Sequence, residues 1–105
     1  LTAPKRDLQH AIAQACTWEF GRTDGSAIAA AIVLRYNAIY GYSHPNKDSW
    51  GVEDGDIVFY DESGRISTRF NDTYFSRGQM TLFGDYLGGS DIRYTLSCAD
   101  DPGGP

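Results

Sequence analysis

From Thr17 to Cys98, apolar and polar residues alternate with a period of two, and turn-forming clusters interrupt the alternation every few residues. A chain patterned this way buries one face of each extended segment and offers no apolar stripe for long helices. Trp18 and Phe20 flank Glu19, Ile57 and Phe59 share a side, and Ile66, Thr68 and Phe70 oppose Arg65, Ser67 and Arg69. A longer strand sets Ile28, Ala30, Ile32, Leu34 and Tyr36 against Ala29, Ala31, Val33 and Arg35. Both of its faces begin apolar, which predicts the core on one side and a helix on the other. Ile39 to Tyr42 make a short return strand, Trp50 and Val52 begin the next, and segments 79–86 and 91–98 complete the set.

The connections fix how these strands meet. Thr23-Asp24-Gly25-Ser26, Glu53-Asp54-Gly55, Asp61-Glu62-Ser63-Gly64 and Leu87-Gly88-Gly89-Ser90 are turn signals, and Pro45 makes the loop around it irregular. None is long enough for a helical crossover, so the eight strands are expected to be antiparallel and consecutive. Eight such strands close an up-and-down barrel that side chains can fill or that holds one small ligand. An open, strongly curved sheet with a helix against its concave face is the alternative.

At 105 residues there is material for one hydrophobic core. Ahead of the strands, Thr2 can cap a helix over 4–15, Pro4 suits its first turn, and Leu8, Ile12 and Ala15 share a face. The expected organisation is a helix and lead-in over 1–16, the barrel over 17–98, and a disordered tail or linker over 99–105, where Asp, Gly and Pro dominate. Leu1 in place of an initiator methionine suggests a processed chain or a piece of a longer one. Cys16 and Cys98 stand at the two ends of the strand region, so barrel closure would bring them within bonding range. Joined, they imply secretion; as two buried thiols they fit the cytoplasm, which is slightly favoured.

Fourteen acidic against 9 basic residues give a net charge of −5, and no stretch concentrates Lys and Arg. Attraction to a phosphate backbone is therefore absent, and nucleic acid is not an expected partner. The apolar run over 27–34 is far below the roughly 20 residues of a membrane span, so no membrane partner is expected either.

Two resemblances accompany this reading. Trp18-Glu19-Phe20-Gly21-Arg22-Thr23-Asp24-Gly25-Ser26, a long apolar strand and Ile39-Tyr40-Gly41 resemble the start of avidin-type and other calycin barrels, which implies an early tryptophan packed inside. A second match covers about half the domain: Gly41-Tyr42-Ser43-His44-Pro45-Asn46-Lys47-Asp48-Ser49-Trp50, then Ile57-Val58-Phe59-Tyr60-Asp61-Glu62-Ser63-Gly64, then Ser67-Thr68-Arg69-Phe70. It is similar to a small bacterial β domain found in chains that also carry glycosyltransferases. The resemblance implies an accessory module in glycan handling and brings no catalytic residue. The last strand has Arg93-Tyr94-Thr95-Leu96 where that pattern often carries a histidine, so no histidine role transfers.

Individual residues support no catalytic set. His44 could move protons near neutral pH, but its loop reads first as a turn built by Pro45 and Asn46. His10 stands apart on the leading helix, two cysteines cannot build a structural zinc site, and Asp54 to Asp56 lack calcium-loop spacing. Asp54, Asp56, Asp61 and Glu62 occupy turns, where carboxylates are solvated. No metal or cofactor is expected. Tyrosines exceed the needs of a small core, and a ring with a hydrogen-bonding tip suits sugars. Trp18 is assigned to the core, whereas Trp50 adjoins the irregular loop. The expected contact region is Tyr42, His44, Asn46 and Trp50, together with Arg69, whose default is solvent exposure on the face away from Ile66 and Phe70 if those point inward.

Three functions fit. The first is a noncatalytic module that binds carbohydrate or supports a glycan-modifying enzyme. The second is a carrier or barrel enzyme with a small apolar ligand inside, using His44 or a tyrosine for proton transfer. The third is a protein-interaction module whose exposed aromatics form a homo-oligomer interface.

Overall fold

All the period-two segments are strands, and each pairs antiparallel with the next. The computed structural model describes residues 11–45, 47–76, 79–88 and 91–98. After helical residues 11–15 come β1 (Thr17–Arg22), β2 (Ala27–Arg35), β3 (Ala38–Tyr40), β4 (Ser49–Glu53), β5 (Asp56–Tyr60), β6 (Ile66–Ser76), β7 (Gln79–Tyr86) and β8 (Arg93–Cys98). β1 also pairs with β8, from Trp18 opposite Cys98 to Arg22 opposite Tyr94, so the sheet closes into a barrel in sequence order. The open-sheet alternative is thereby removed. The expected helix over 4–10 and the tail over 99–105 lie outside the described residues.

Side chains fill the barrel. Trp18, Phe20, Ile32, Leu34, Phe59 and Leu96 are fully buried, and Trp50, Ile57, Phe70 and Tyr94 nearly so. Phe20 packs edge-on against Phe59 with centroids 5.7 Å apart, and Phe59 against Phe70 at 5.2 Å. Gly84 makes room for this column: a Cβ there would come within 2.7 Å of both the Phe70 ring and the Arg69 carbonyl oxygen. An apolar ligand inside the barrel therefore has no space along this column.

Four details of β2 and β6 depart from what strict alternation predicts. Ile32 faces Trp18, but Ala29 faces Phe20, so an irregularity in register inserts an extra β2 residue. The phase reverses there, and Ala29 instead of Ala30 turns inward and is buried. On the outer face of β2, where a helix was expected, Ala27, Ala30, Ala31 and Arg35 are exposed, so the described helical residues 11–15 do not cover them. Tyr36 does not continue the inner face; it sits at φ 56° in the turn and is exposed. Finally, β6 continues past Phe70 to Ser76, with a second irregularity between Phe70 and Asp72.

The chain enters the barrel at one end and seals it. Ala13 is buried there, and its carbonyl accepts a 2.9 Å hydrogen bond from the Trp18 indole. Beside it a disulfide joins Cys16 to Cys98 across a Cα–Cα distance of 5.4 Å. Of the two cysteine readings, the joined one holds.

Candidate functional site

β1, β3, β5 and β7 run away from the sealed end, so their final residues and the turns that follow them frame the opposite end. The β3–β4 connection is the longest of these turns and is held down at several points. Gly41 starts it at φ +93°, where any Cβ would run into the Ala31 carbonyl oxygen. The Lys47 amide donates to the His44 carbonyl at 2.9 Å, the Glu62 amide to Pro45 at 2.8 Å, and the Asp48 amide to Tyr60 at 2.7 Å. Glu62 belongs to a rigid turn, because the Asp61 carboxylate accepts from the Ser63 amide at 2.9 Å and the Arg65 amide at 3.0 Å. Those hydrogen bonds, first among them the Ser63 hydroxyl, also hold the Asp61 carboxyl below its usual range.

So anchored, the loop turns Lys47 inward. Only 4% of the residue is exposed. Its Nζ donates to the Tyr94 hydroxyl at 3.2 Å and lies 4.5 Å from the Tyr94 ring centre and 5.1 Å from that of Tyr86. Cation–π attraction favours the charge there, but no carboxylate pairs with it among the described residues. Burial, helped by repulsion from Arg22, brings the Lys47 amine down from 10.5 to about 8. Burial also raises the Tyr42 and Tyr94 hydroxyls above their ordinary value.

These groups line a cavity of about 250 Å³, walled by Arg22, Ile28, Tyr42, His44, Lys47, Tyr86, Ile92 and Tyr94. The aromatic column of the core reaches its floor, with Phe20 stacked on Tyr94 at 5.2 Å and edge-on to Tyr42 at 5.5 Å. Tyr42 in turn lies parallel to the His44 ring at 6.2 Å. The described wall has two cationic side chains, tyrosine hydroxyls, an imidazole and apolar flanks, and no carboxylate. Asp24 and Asp91 line the adjoining groove with Arg22 and Arg93.

Of the residues expected at a site, Tyr42 and His44 come together here, and Asn46 lies outside the described residues. Trp50 does not reach the cavity. It follows Ser49 into β4, faces Phe59, and is 2% exposed in the core. Arg69 is on the outer wall, because its neighbours Thr68 and Phe70 point in; its guanidinium bonds Asp56 at 3.0 Å and the Glu53 carbonyl at 3.1 Å. Lys47, Arg22, Tyr86 and Tyr94 were missed as a group. Arg22 had a signal, since it continues the inward phase of Trp18 and Phe20. Lys47 had none, because a charged residue beside Pro and Asn reads as solvated.

Fold and site together define a small closed antiparallel barrel, sealed at one end and tyrosine-lined at the other. Compared with protein-family models, with curated proteins and with solved structures, the chain finds no match in any of the three. No helix among the described residues is long and apolar enough to cross a membrane.

Proposed function

We propose that this barrel is a noncatalytic binding module whose open end takes a small ligand with an anionic group, acidic sugars being the class that fits best. The observation that carries the reading is Lys47, a buried amine beside Arg22 in a cavity whose described wall has no carboxylate. A cation withdrawn from water without a counter-ion is unfavourable, and a ligand carboxylate or phosphate entering beside it supplies the missing charge. Tyr42, Tyr86 and Tyr94 offer rings for the flat faces of a sugar and hydroxyls for its oxygens. A filled interior favours this mouth over an internal apolar site. The Cys16–Cys98 disulfide supports a setting oxidising enough to keep it, such as the cell exterior.

Amide NMR titrations with glucuronate and with glucose test the proposal. Glucuronate should shift residues around the cavity and bind well ahead of glucose, and Arg22→Ala should weaken it by roughly tenfold, the loss of one charge-assisted hydrogen bond. Equal responses to the acid and the neutral sugar, or shifts confined to other surfaces, would remove the reading.

A further inference from the structure

We propose that Lys47 is a nucleophilic amine that captures carbonyl-bearing anions, reducing acidic sugars among them, as a reversible imine at the barrel mouth. This rests on the binding reading above and adds a covalent step to it. Three placements carry it. Lys47 lines the cavity while only 4% exposed, with its Nζ bonded to the Tyr94 hydroxyl, so the amine is held at one spot instead of sweeping through solvent. The Tyr94 hydroxyl stands 3.2 Å from it, within reach of any oxygen that leaves the carbon under attack. Arg22 shares the wall, where a carboxylate on the ligand would pair with it and present the carbonyl to the amine.

Burial and Arg22 also leave a substantial share of the Lys47 amine uncharged near neutral pH, as attack requires. The groups that face it, Tyr42, His44, Tyr86, Tyr94 and Arg22, include no carboxylate to hold the proton on. In the step, the nitrogen lone pair forms a bond to the carbonyl carbon as the C–O π bond opens. The resulting alkoxide takes a proton and the nitrogen gives one up, leaving a carbinolamine. Tyr94 then protonates the departing hydroxyl and recovers a proton from the nitrogen, so the products are imine and water with no net change in the protein. No oxidant or reductant takes part.

The chain has two lysines, Lys5 and Lys47, so capture is simple to locate. The protein is incubated near pH 7.5 with glucuronate and cyanoborohydride, which reduces an imine to a stable amine, and the product is mapped by peptide mass spectrometry. Methyl glucuronide, whose locked ring offers no carbonyl, is titrated in parallel by NMR. The expected result is an added mass equal to the sugar less one oxygen atom, formed at Lys47 at least roughly tenfold faster than at Lys5, because burial brings the Lys47 amine down to about 8. Methyl glucuronide should bind at the mouth and slow the reaction, Tyr94→Phe should slow it without abolishing binding, and Lys47→Arg should bind both sugars yet trap neither. Binding of the methyl glycoside with Lys47 reacting no faster than Lys5 overturns the imine and leaves the binding reading intact. Failure of both sugars to perturb the mouth overturns both.

Discussion

The two ends of the barrel are built on opposite terms. At the sealed end the groups that close it have internal partners: the Trp18 indole bonds Ala13, the Tyr36 amide donates to the Gln14 side chain at 3.1 Å, and the sulfurs are joined. At the open end a lysine is buried against tyrosine rings, with Arg22 pressing the same charge upon it. One end is arranged for stability, whereas the other keeps an electrostatic deficit that a ligand can relieve. Local sequence–structure conflicts of that kind are expected at functional sites.

The largest effect should come from unfastening the sealed end. A disulfide spanning 82 residues stabilises by about 4.5 kcal/mol in the chain-entropy model, so Cys16→Ser with Cys98→Ser should lower the stability by roughly that much. Denaturant titration measures it, and glucuronate affinity at low temperature should hardly change, because the mouth does not touch the sulfurs. A loss below about 1 kcal/mol would show that the sealed end is not arranged for stability, and a large drop in affinity of the folded fraction would show that the two ends are not separate in function.

Lys47→Met should act in the other direction. Methionine keeps the stem and removes a charge that burial disfavours, so the variant should gain about 3 to 3.5 kcal/mol near pH 7, from roughly 1.4 kcal/mol for each pH unit between 10.5 and about 8. The same contrast sets a pH dependence. In the unfolded chain the lysine keeps its proton up to 10.5, whereas in the folded protein it is released near 8, so between these values the unfolded state binds more protons. Stability must then rise with pH across that window, by about 2 kcal/mol from pH 7 to 9.5 for this group alone. Above about pH 10 the raised Tyr42 and Tyr94 hydroxyls work the opposite way, because the unfolded tyrosines ionise first. Urea midpoints at pH 7 and 9.5 should diverge in the parent protein and lose this component in Lys47→Met. Identical pH profiles for the two proteins would mean that the amine is as well solvated as any surface lysine.

The barrel was readable because hydrophobic alternation and turn residues act locally: Asp61 to Gly64 make the same turn wherever they occur. Its closure was legible in the eight consecutive strands, and the cysteine pairing was a consequence of closure that stayed open beside two free thiols. The irregularity facing Phe20 was hidden, since a run of alanines in β2 fits either phase equally well. Most of the mouth was hidden for a different reason. Tyr42 and His44 stood out as aromatic and polar residues near an irregular loop, but Arg22 and Lys47 are distant in sequence and meet only after β1 and the β3–β4 connection reach the same end. Trp50 shows the reverse error: proximity to the loop in sequence suggested contact with a ligand, yet one step into β4 the pleat points its ring into the core.

Arg69 provides the smallest effect and the sharpest separation of inside from outside. Its side chain is about a quarter exposed, at 27%, and its guanidinium bridges Asp56 and the Glu53 carbonyl on the outer wall. A partly exposed pair of this kind contributes within about 1 kcal/mol after solvent screening, so Arg69→Ala should shift the urea midpoint slightly. Glucuronate affinity should stay within about twofold of the parent, against the roughly tenfold loss expected for Arg22→Ala. The two arginines end up on opposite sides of the sheet through pleat phase alone: Arg22 follows Phe20 by two residues and reaches the cavity, and Arg69 precedes Phe70 by one and faces away from it. If Arg69→Ala weakened the ligand as much as Arg22→Ala did, the ligand would have to lie across the outer wall, and the charge deficit at Lys47 would need another explanation.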